Sequence, residues 1–590
     1  MPKNIVLLSD GTGNSAAKPF KTNIWRLYQA LDIDPVPPGG LRRQVVLYDE
    51  GVGSENFKPL ALLGGAFGIG VWRNVRDLYT FTCRNYEQGD QIFAFGFSRG
   101  AFTVRLLVGL IGKCGLVVPN SEDDLKKKVE IAYLEYQRDF LLRASRKRYM
   151  LYHYVLADPH YVPGGAGGGR IIDVPGKQER PHIAFLGVWD TVSAYGLPVD
   201  ELERGVDQWI WPMTVADREL SPMVLRARHA LSLDDERPTF RPVLWNEQHG
   251  QDRIKQVWFA GAHANVGGGY PDDGLANVTL DWMMDEIGPE LRFYPEERQE
   301  IRHRANAFGQ YYDSRSGIAG YYRYGPRSVE RLCHDRDHEV EIATPKFHPS
   351  ALERIRRRQV AYAPLSPTLA FEVIEAPGHE RHVVEQAYDA TWMEQASNTV
   401  WWRRLSYLAT VALSVLLVGF PLLDKWALPA IENILPAAAT LDPLRPVVDR
   451  LSGIVPADFA DILPGWSRPW VASFLHRPTI ALVSALLLIW LFWRKSGQLQ
   501  HKIAARAELA WAQLKHITVV PHIVRRWDDR IAGYFRSSPA WTSVYRFVSR
   551  RLIPFLFAWT VGLLVLVFVV IKLVVDAIKL RRLLRSKTSI

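Results

Sequence analysis

Ser98 sits in the pentapeptide Gly96-Phe97-Ser98-Arg99-Gly100, between the apolar run Ile92-Phe93-Ala94-Phe95 and a segment with Phe102, Leu106, Leu107 and Leu110 at helical spacing. A serine hydroxyl is a weak nucleophile unless its oxygen is held exposed beside a base, and a tight strand-to-helix turn does that holding. Gly96 and Gly100 leave room where side chains would collide. Alone, the pentapeptide is a chance-level match, and the competing reading makes Ser98 a small residue in a βα turn. Its setting, an apolar strand followed by a turn and a helix, favours the nucleophile.

Two later apolar runs end in residues that could serve such a serine. Pro181 to Thr191, PHIAFLGVWDT, reaches Asp190, and Ile254 to Pro271, IKQVWFAGAHANVGGGYP, reaches His263. In a parallel α/β sheet the carboxyl ends of the strands share one edge, so residues distant in sequence can meet there. Ser98, Asp190 and His263 then follow the order serine, acid, histidine expected of α/β hydrolases. Taken singly, Asp190 reads equally well as a helix N-cap and His263 as a satisfied loop histidine; three strand ends in the right order favour a joint site. The glycines at 267–269 give the histidine a flexible loop.

A fourth strand end opens the chain. Asn4 to Ser9 leads into Asp10-Gly11-Thr12-Gly13-Asn14, whose small residues expose amides at Gly11 and Thr12 that could receive an oxyanion together with the amide of Arg99. A phosphate cradle is the rival reading, but neither glycine-rich nucleotide fingerprint is present and Asp10 would repel a phosphate. Asp10 itself is left between a metal ligand and a brace for the loop. No cofactor or metal centre is expected, and calcium is not indicated by the residues.

These segments, with Thr22-Asn23-Ile24, Gly51-Val52-Gly53, Gly187-Val188-Trp189-Asp190-Thr191-Val192, His229-Ala230-Leu231-Ser232-Leu233-Asp234 and Trp258-Phe259-Ala260-Gly261-Ala262-His263, resemble the successive motifs of the type VI secretion lipase effectors of the first family and their bacterial and fungal relatives. The resemblance covers roughly residues 1 to 380. It implies an α/β-hydrolase fold, a triad of Ser98, Asp190 and His263, and phospholipase A activity; it also implies a secretion spike and an immunity protein as partners. One position departs from the pattern: Asn265 stands where relatives commonly carry an acid. If that acid supports the histidine, Asn265 marks weakened catalysis, and a hydrolase-fold membrane scaffold becomes the alternative function. Asp234, Asp235 and Glu236 are candidate substitute acids, with a solvated charge cluster as the expected reading.

Composition points to a membrane. Of 590 residues, 48% are hydrophobic and 12% aromatic, high for a wholly soluble chain. Leu405 to Leu423 and Ile553 to Ile571 each run about 19 residues without a charge, long enough to span, while Pro478 to Trp493, at about 16, is marginal. Trp401, Trp402, Trp490 and Trp493 stand at the ends of the first two, beside arginines, as interface anchors do. The stretch from Arg494 to Arg551 carries about twelve lysines and arginines against about three acids, which places it and the catalytic region on the cytoplasmic side of an inner membrane and Asp424 to Arg477 outside. The basic tail from Lys579 to Lys587 fits that orientation poorly.

The net charge of +10 therefore reads as attraction to anionic phospholipids, and no motif supports nucleic acid. Three scattered cysteines argue against a disulfide framework, and the N-terminal segment lacks the apolar region of a signal peptide. Val118 to Tyr154 reads as a charged helix, and the glycines of 164–169 as a hinge for a cap over the pocket. The expected architecture is a mostly parallel α/β-hydrolase sheet with helical cap insertions over residues 1–390, followed by an α-helical membrane region of two or three spans over 391–590. The expected activity is membrane-associated serine ester hydrolysis of glycerophospholipids.

Overall fold

The computed structural model describes residues 2–11, 18–35, 42–51, 69–143, 174, 178–193, 218–247, 253–335, 339–357, 361–365, 368, 370–374, 382–385, 387–429, 443–452, 464–517 and 526–552. Thr12, the glycine run of 164–169, the third apolar segment and the basic tail lie outside them. The chain divides into two compact units, one centred on Met1–Ala390 and the other on Thr391–Ala507 with His522–Ser537.

The first unit is built on a nine-stranded sheet. Its strands are β1 (Lys3–Ser9), β2 (Arg43–Asp49), β3 (Gln91–Phe97), β4 (Ile183–Trp189), β5 (Ala227–Ser232), β6 (Ile254–Phe259), β7 (Lys346–Phe347), β8 (Phe371–Val373) and β9 (His382–Val384). The spatial order is β9-β8-β7-β6-β5-β4-β3-β1-β2, and every neighbouring pair is parallel except β8 with β9. Alternate residues of β1 and β3 enter different cores: Ile5, Leu7, Ile92 and Ala94 face one side, and Val6, Leu8, Phe93 and Phe95 the other. Such continuous apolar runs are what a parallel sheet covered on both faces requires.

One face is covered by α2 (Ile69–Asn85), α3 (Arg99–Cys114) and α4 (Glu122–Arg143), and the other by α1 (Asn23–Ala30) and α6 (Gly274–Ile287), with the short α5 (His263–Gly267) between β6 and α6. After β2, on the outer side of β1, the chain crosses back to build β3 on the inner side. The winding direction thus reverses between β1 and β3, and crevices at such reversals, beyond the carboxyl ends of the strands, are where ligands bind in this fold class. The fold is an α/β-hydrolase-like mostly parallel sheet flanked by helices.

The second unit holds α7 (Ala390–Val418), α8 (Pro478–Ala510) and α9 (Trp527–Ser537). A buried arginine ties them together. Arg506 Nη1 and Nη2 donate to the Asp529 carboxylate at 2.6 and 2.9 Å, and Nη1 also reaches the Gln395 carbonyl and Thr399 Oγ1. Among the described residues, α8 is one helix long and apolar enough to cross a membrane, with only 11% of its apolar window buried. The order expected from sequence is reversed here: the marginal second segment lies in a helix of 33 residues, because the helix continues through the polar stretch after Trp493. The first segment instead bends by 62° between Val418 and Phe420, so it counts as a span only if the bent pair is taken as one.

Candidate active site

Ser98 closes β3 and caps α3 with φ 58° and ψ −121°, a backbone conformation that side chains rarely adopt. Strain of this kind costs on the order of 1–3 kcal/mol and persists only where the surroundings enforce it. They do so here through glycines. A Cβ on Gly96 would lie 2.5 Å from the Gly100 carbonyl oxygen, and one on Gly100 would lie 2.1 Å from the Ser9 carbonyl oxygen. The turn is thus compressed between its own helix and the end of β1, at the winding reversal.

The three sequence-predicted residues meet there. Ser98 Oγ lies 2.8 Å from His263 Nε2, and His263 Nδ1 lies 2.6 Å from Asp190 Oδ2. With an ionised Asp190 accepting from Nδ1–H, Nε2 is left as the acceptor of the serine proton. Asp190 follows β4 directly and also takes a positive φ, 38°. His263 stands four residues beyond β6 and opens α5, where a loop was expected; its ring packs 4.7 Å from Phe97 and, edge to face, 5.0 Å from Phe240.

Sequence reasoning missed the second partner of the acid. Arg327 Nη1 and Nη2 donate to Asp190 Oδ1 and Oδ2 at 2.7 and 2.8 Å, and the Ser232 amide adds a bond to Oδ1 at 3.0 Å. Burial opposes the ionisation of Asp190, but Arg327 and His263 outweigh it and hold the carboxyl well below the usual carboxylate range. His263 is pushed the other way from a free imidazolium: burial lowers its proton affinity more than Asp190 and Asp235 restore it. The resting arrangement is therefore a neutral histidine between a serine and an ionised, arginine-paired aspartate.

Asp234 and Asp235 after β5 are structural, and for these two the expectation of a solvated cluster fails. Asp235 is fully buried and accepts from the His263 amide at 3.2 Å and from Arg237, while Asp234 Oδ2 accepts from the Gly261 amide at 2.7 Å and from Tyr362 Oη at 2.5 Å. Both clamp the turn that carries the histidine. Asn265 braces the same turn from within: its Oδ1 accepts from the Ala262 amide at 3.2 Å and its Nδ2 donates to the Gln310 carbonyl at 3.0 Å. These bonds lead away from the imidazole, and the Nδ2 bond needs a donor that an aspartate lacks.

Of the expected oxyanion donors, Arg99 is the first residue of α3 and so places its amide at the positive end of that helix. The Gly11 amide donates to Asp10 Oδ1 at 2.6 Å, and Thr12 lies outside the described residues. Asp10 is a brace in this geometry, since its Oδ2 also accepts from Thr22 Oγ1 and Tyr48 Oη, each at 2.7 Å. Among the described residues no cluster of histidine, cysteine or carboxylate groups is arranged to hold a metal ion.

Residues 3–286 match the family model described as T6SS, phospholipase effector Tle1-like, catalytic domain. An uncharacterized protein of Saccharomyces cerevisiae is 29% identical over 255 residues, which cover 41% of this chain and 32% of the yeast protein. The chain thus matches about a third of the length of that relative. Two solved structures are similar at 16% identity: an uncharacterized protein from Pseudomonas aeruginosa, with a TM-score of 0.28 over 52% of this chain and 49% of that one, and the Tle1 effector bound to the VgrG spike of the type 6 secretion system, with a TM-score of 0.25 over 46% and 52%. Residues 3–286, in which the ends of β3 and β4 and the start of α5 carry Ser98, Asp190 and His263, are thus the part of the chain similar to the catalytic domain of Tle1-like type VI secretion phospholipase effectors.

Proposed function

We propose that this chain is a serine phospholipase of the A type, acting on glycerophospholipid esters at a membrane surface. The observation that carries the reading is the unbroken hydrogen-bonded series from Ser98 through His263 to Asp190 at the strained turn after β3. Ser98 Oγ attacks the ester carbonyl carbon while His263 Nε2 takes its proton. The amide of Arg99, at the start of α3, receives the oxyanion, with Thr12 of the loop after β1 as the second donor; the Gly11 amide is instead committed to Asp10. His263 then returns the proton to the leaving lysophospholipid oxygen, and water repeats the sequence on the acyl-enzyme. Asp190 holds the imidazole in the required tautomer throughout.

Residues 1–390 would form the catalytic domain and 391–590 the membrane-associated region, with α8 the element best fitted to enter a bilayer. The similarity to this family extends the proposal to delivery on a secretion spike, as in the solved Tle1–VgrG complex, and to neutralisation by an immunity protein. The scaffold alternative rests on Asn265 marking lost catalysis; the bonds of Asn265 to Ala262 and Gln310 support a bracing role for that residue and so favour the enzyme reading.

The test is lipid product release. Full-length protein incubated with vesicles of mixed phosphatidylethanolamine and phosphatidylglycerol should liberate lysophospholipid and free fatty acid, and Ser98→Ala should liberate neither. Equal release by both proteins would refute the serine mechanism.

A further inference from the structure

Arg327 lies beyond the residues that match the family model, yet its side chain is only 3% exposed and its guanidinium fills the open edge of the Asp190 carboxylate. Two further bonds fix the fork in place, from Nη1 to the Ser232 carbonyl at 2.6 Å and from Nη2 to the Phe240 carbonyl at 2.5 Å. With Ser232 N and His263 Nδ1 on the remaining positions, each carboxylate oxygen accepts two bonds, so the plane of Asp190 has no freedom to turn. The charge matters as much as the geometry. Without Arg327, protonation of the histidine would create a neutral ion pair; with it, the buried group becomes two cations around one anion.

We propose that Arg327 is a positioning residue for the reaction proposed above, which both orients Asp190 and moves the pH at which His263 becomes a competent base downward. The proposal rests on the Ser98, His263 and Asp190 reading. Its sign does not depend on which member of the Asp190–His263 pair holds the proton, because removing a neighbouring positive charge raises the proton affinity of the pair as a whole. The other charges facing the pair are fixed by partners of their own: Asp235 beneath the His263 amide is paired with Arg237, which also faces Tyr270, and His229 on β5, which accepts from the Thr191 amide, is held to about 3 by burial and by Arg105. Arg327 is the cation in direct contact with the carboxylate.

The experiment is the pH profile of kcat/KM on p-nitrophenyl butyrate, for full-length native protein and for Arg327→Met, Arg327→Gln and Arg327→Lys. The acid limb of the two neutral variants should move up by about one pH unit or more, with kcat lowered roughly ten- to a hundredfold. The Lys variant keeps the charge but loses the fork, so its limb should stay near the native position while kcat falls. Folded neutral variants whose acid limb coincides with the native one would overturn the proposal, since a merely structural arginine changes rate and not pH dependence. If neither neutral variant folds, the native profile decides: an acid limb below about 6.5 is expected, and one at or above that ordinary histidine value overturns it. Full native rate in Ser98→Ala would identify the underlying serine reading as the failure.

Discussion

Asp190 and Arg327 lie face to face, their two parallel bonds measuring 2.7 and 2.8 Å, in a site where neither side chain is more than 3% exposed. Removing one partner strands the charge of the other. Asp190→Asn should therefore cost about 3–5 kcal/mol in stability as well as about 10⁴-fold in kcat. The double variant Asp190→Asn with Arg327→Met should regain much of the stability and none of the activity. Thermal unfolding of the single and double variants checks this, and a single variant as stable as the native protein would contradict it.

Gly100 touches the end of β1 so closely that a methyl group there would overlap the Ser9 carbonyl. Gly100→Ala should destabilise the protein by about 3 kcal/mol or more and shift the turn that holds Ser98. The expected readout is a lowered unfolding midpoint together with lost esterase activity. A variant with native stability and rate would show that the turn is looser than the geometry implies.

Asn265→Asp restores the acid that relatives commonly carry, but here it would turn a carboxylate oxygen towards the Gln310 carbonyl in place of a donor. The loss of that bond should cost about 1–3 kcal/mol. Activity should not rise. An increase in kcat would show that an acid at this position supports the histidine after all.

Asp49 gives a pH signature away from the site. Burial pushes its carboxyl up to about 7, against the hydrogen bonds from Ser9 and Asn74. A folded value above the unfolded one means that the neutral form stabilises the fold, fully below about pH 4, and that this contribution is lost as pH rises through 7. Asp49→Asn has no such loss. Its stability relative to the native protein should thus improve between pH 5 and pH 8 by on the order of 2 kcal/mol, and a pH-independent difference would contradict the assignment.

The parts of the site that were legible in sequence are those attached to long buried strands. β3 and β4 each carry an apolar run of six or seven residues, β6 ends in the apolar Val257-Trp258-Phe259, and a residue just beyond such a run must lie at the edge of the sheet. What escaped had no periodicity to reveal it. β7, β8 and β9 are two or three residues long, and β2 and β5 mix charged with apolar residues. Arg327, Asp234 and Asp235 lie in charged stretches where a solvated face is the ordinary expectation, and only tertiary structure pairs Asp235 with Arg237 and Arg327 with Asp190. Hydropathy gave the apolar part of α8 but not its length, since the helix runs on through residues that hydropathy excludes.

Ser98 is proposed to be a nucleophile activated by His263. Treatment with a fluorophosphonate ester, digestion with trypsin and mass spectrometry of the peptide of residues 85–99 tests it directly. A covalent adduct on Ser98 is expected in the native protein, with labelling at least a hundredfold slower in His263→Ala. Absence of the adduct, or equal labelling in the two proteins, would contradict it.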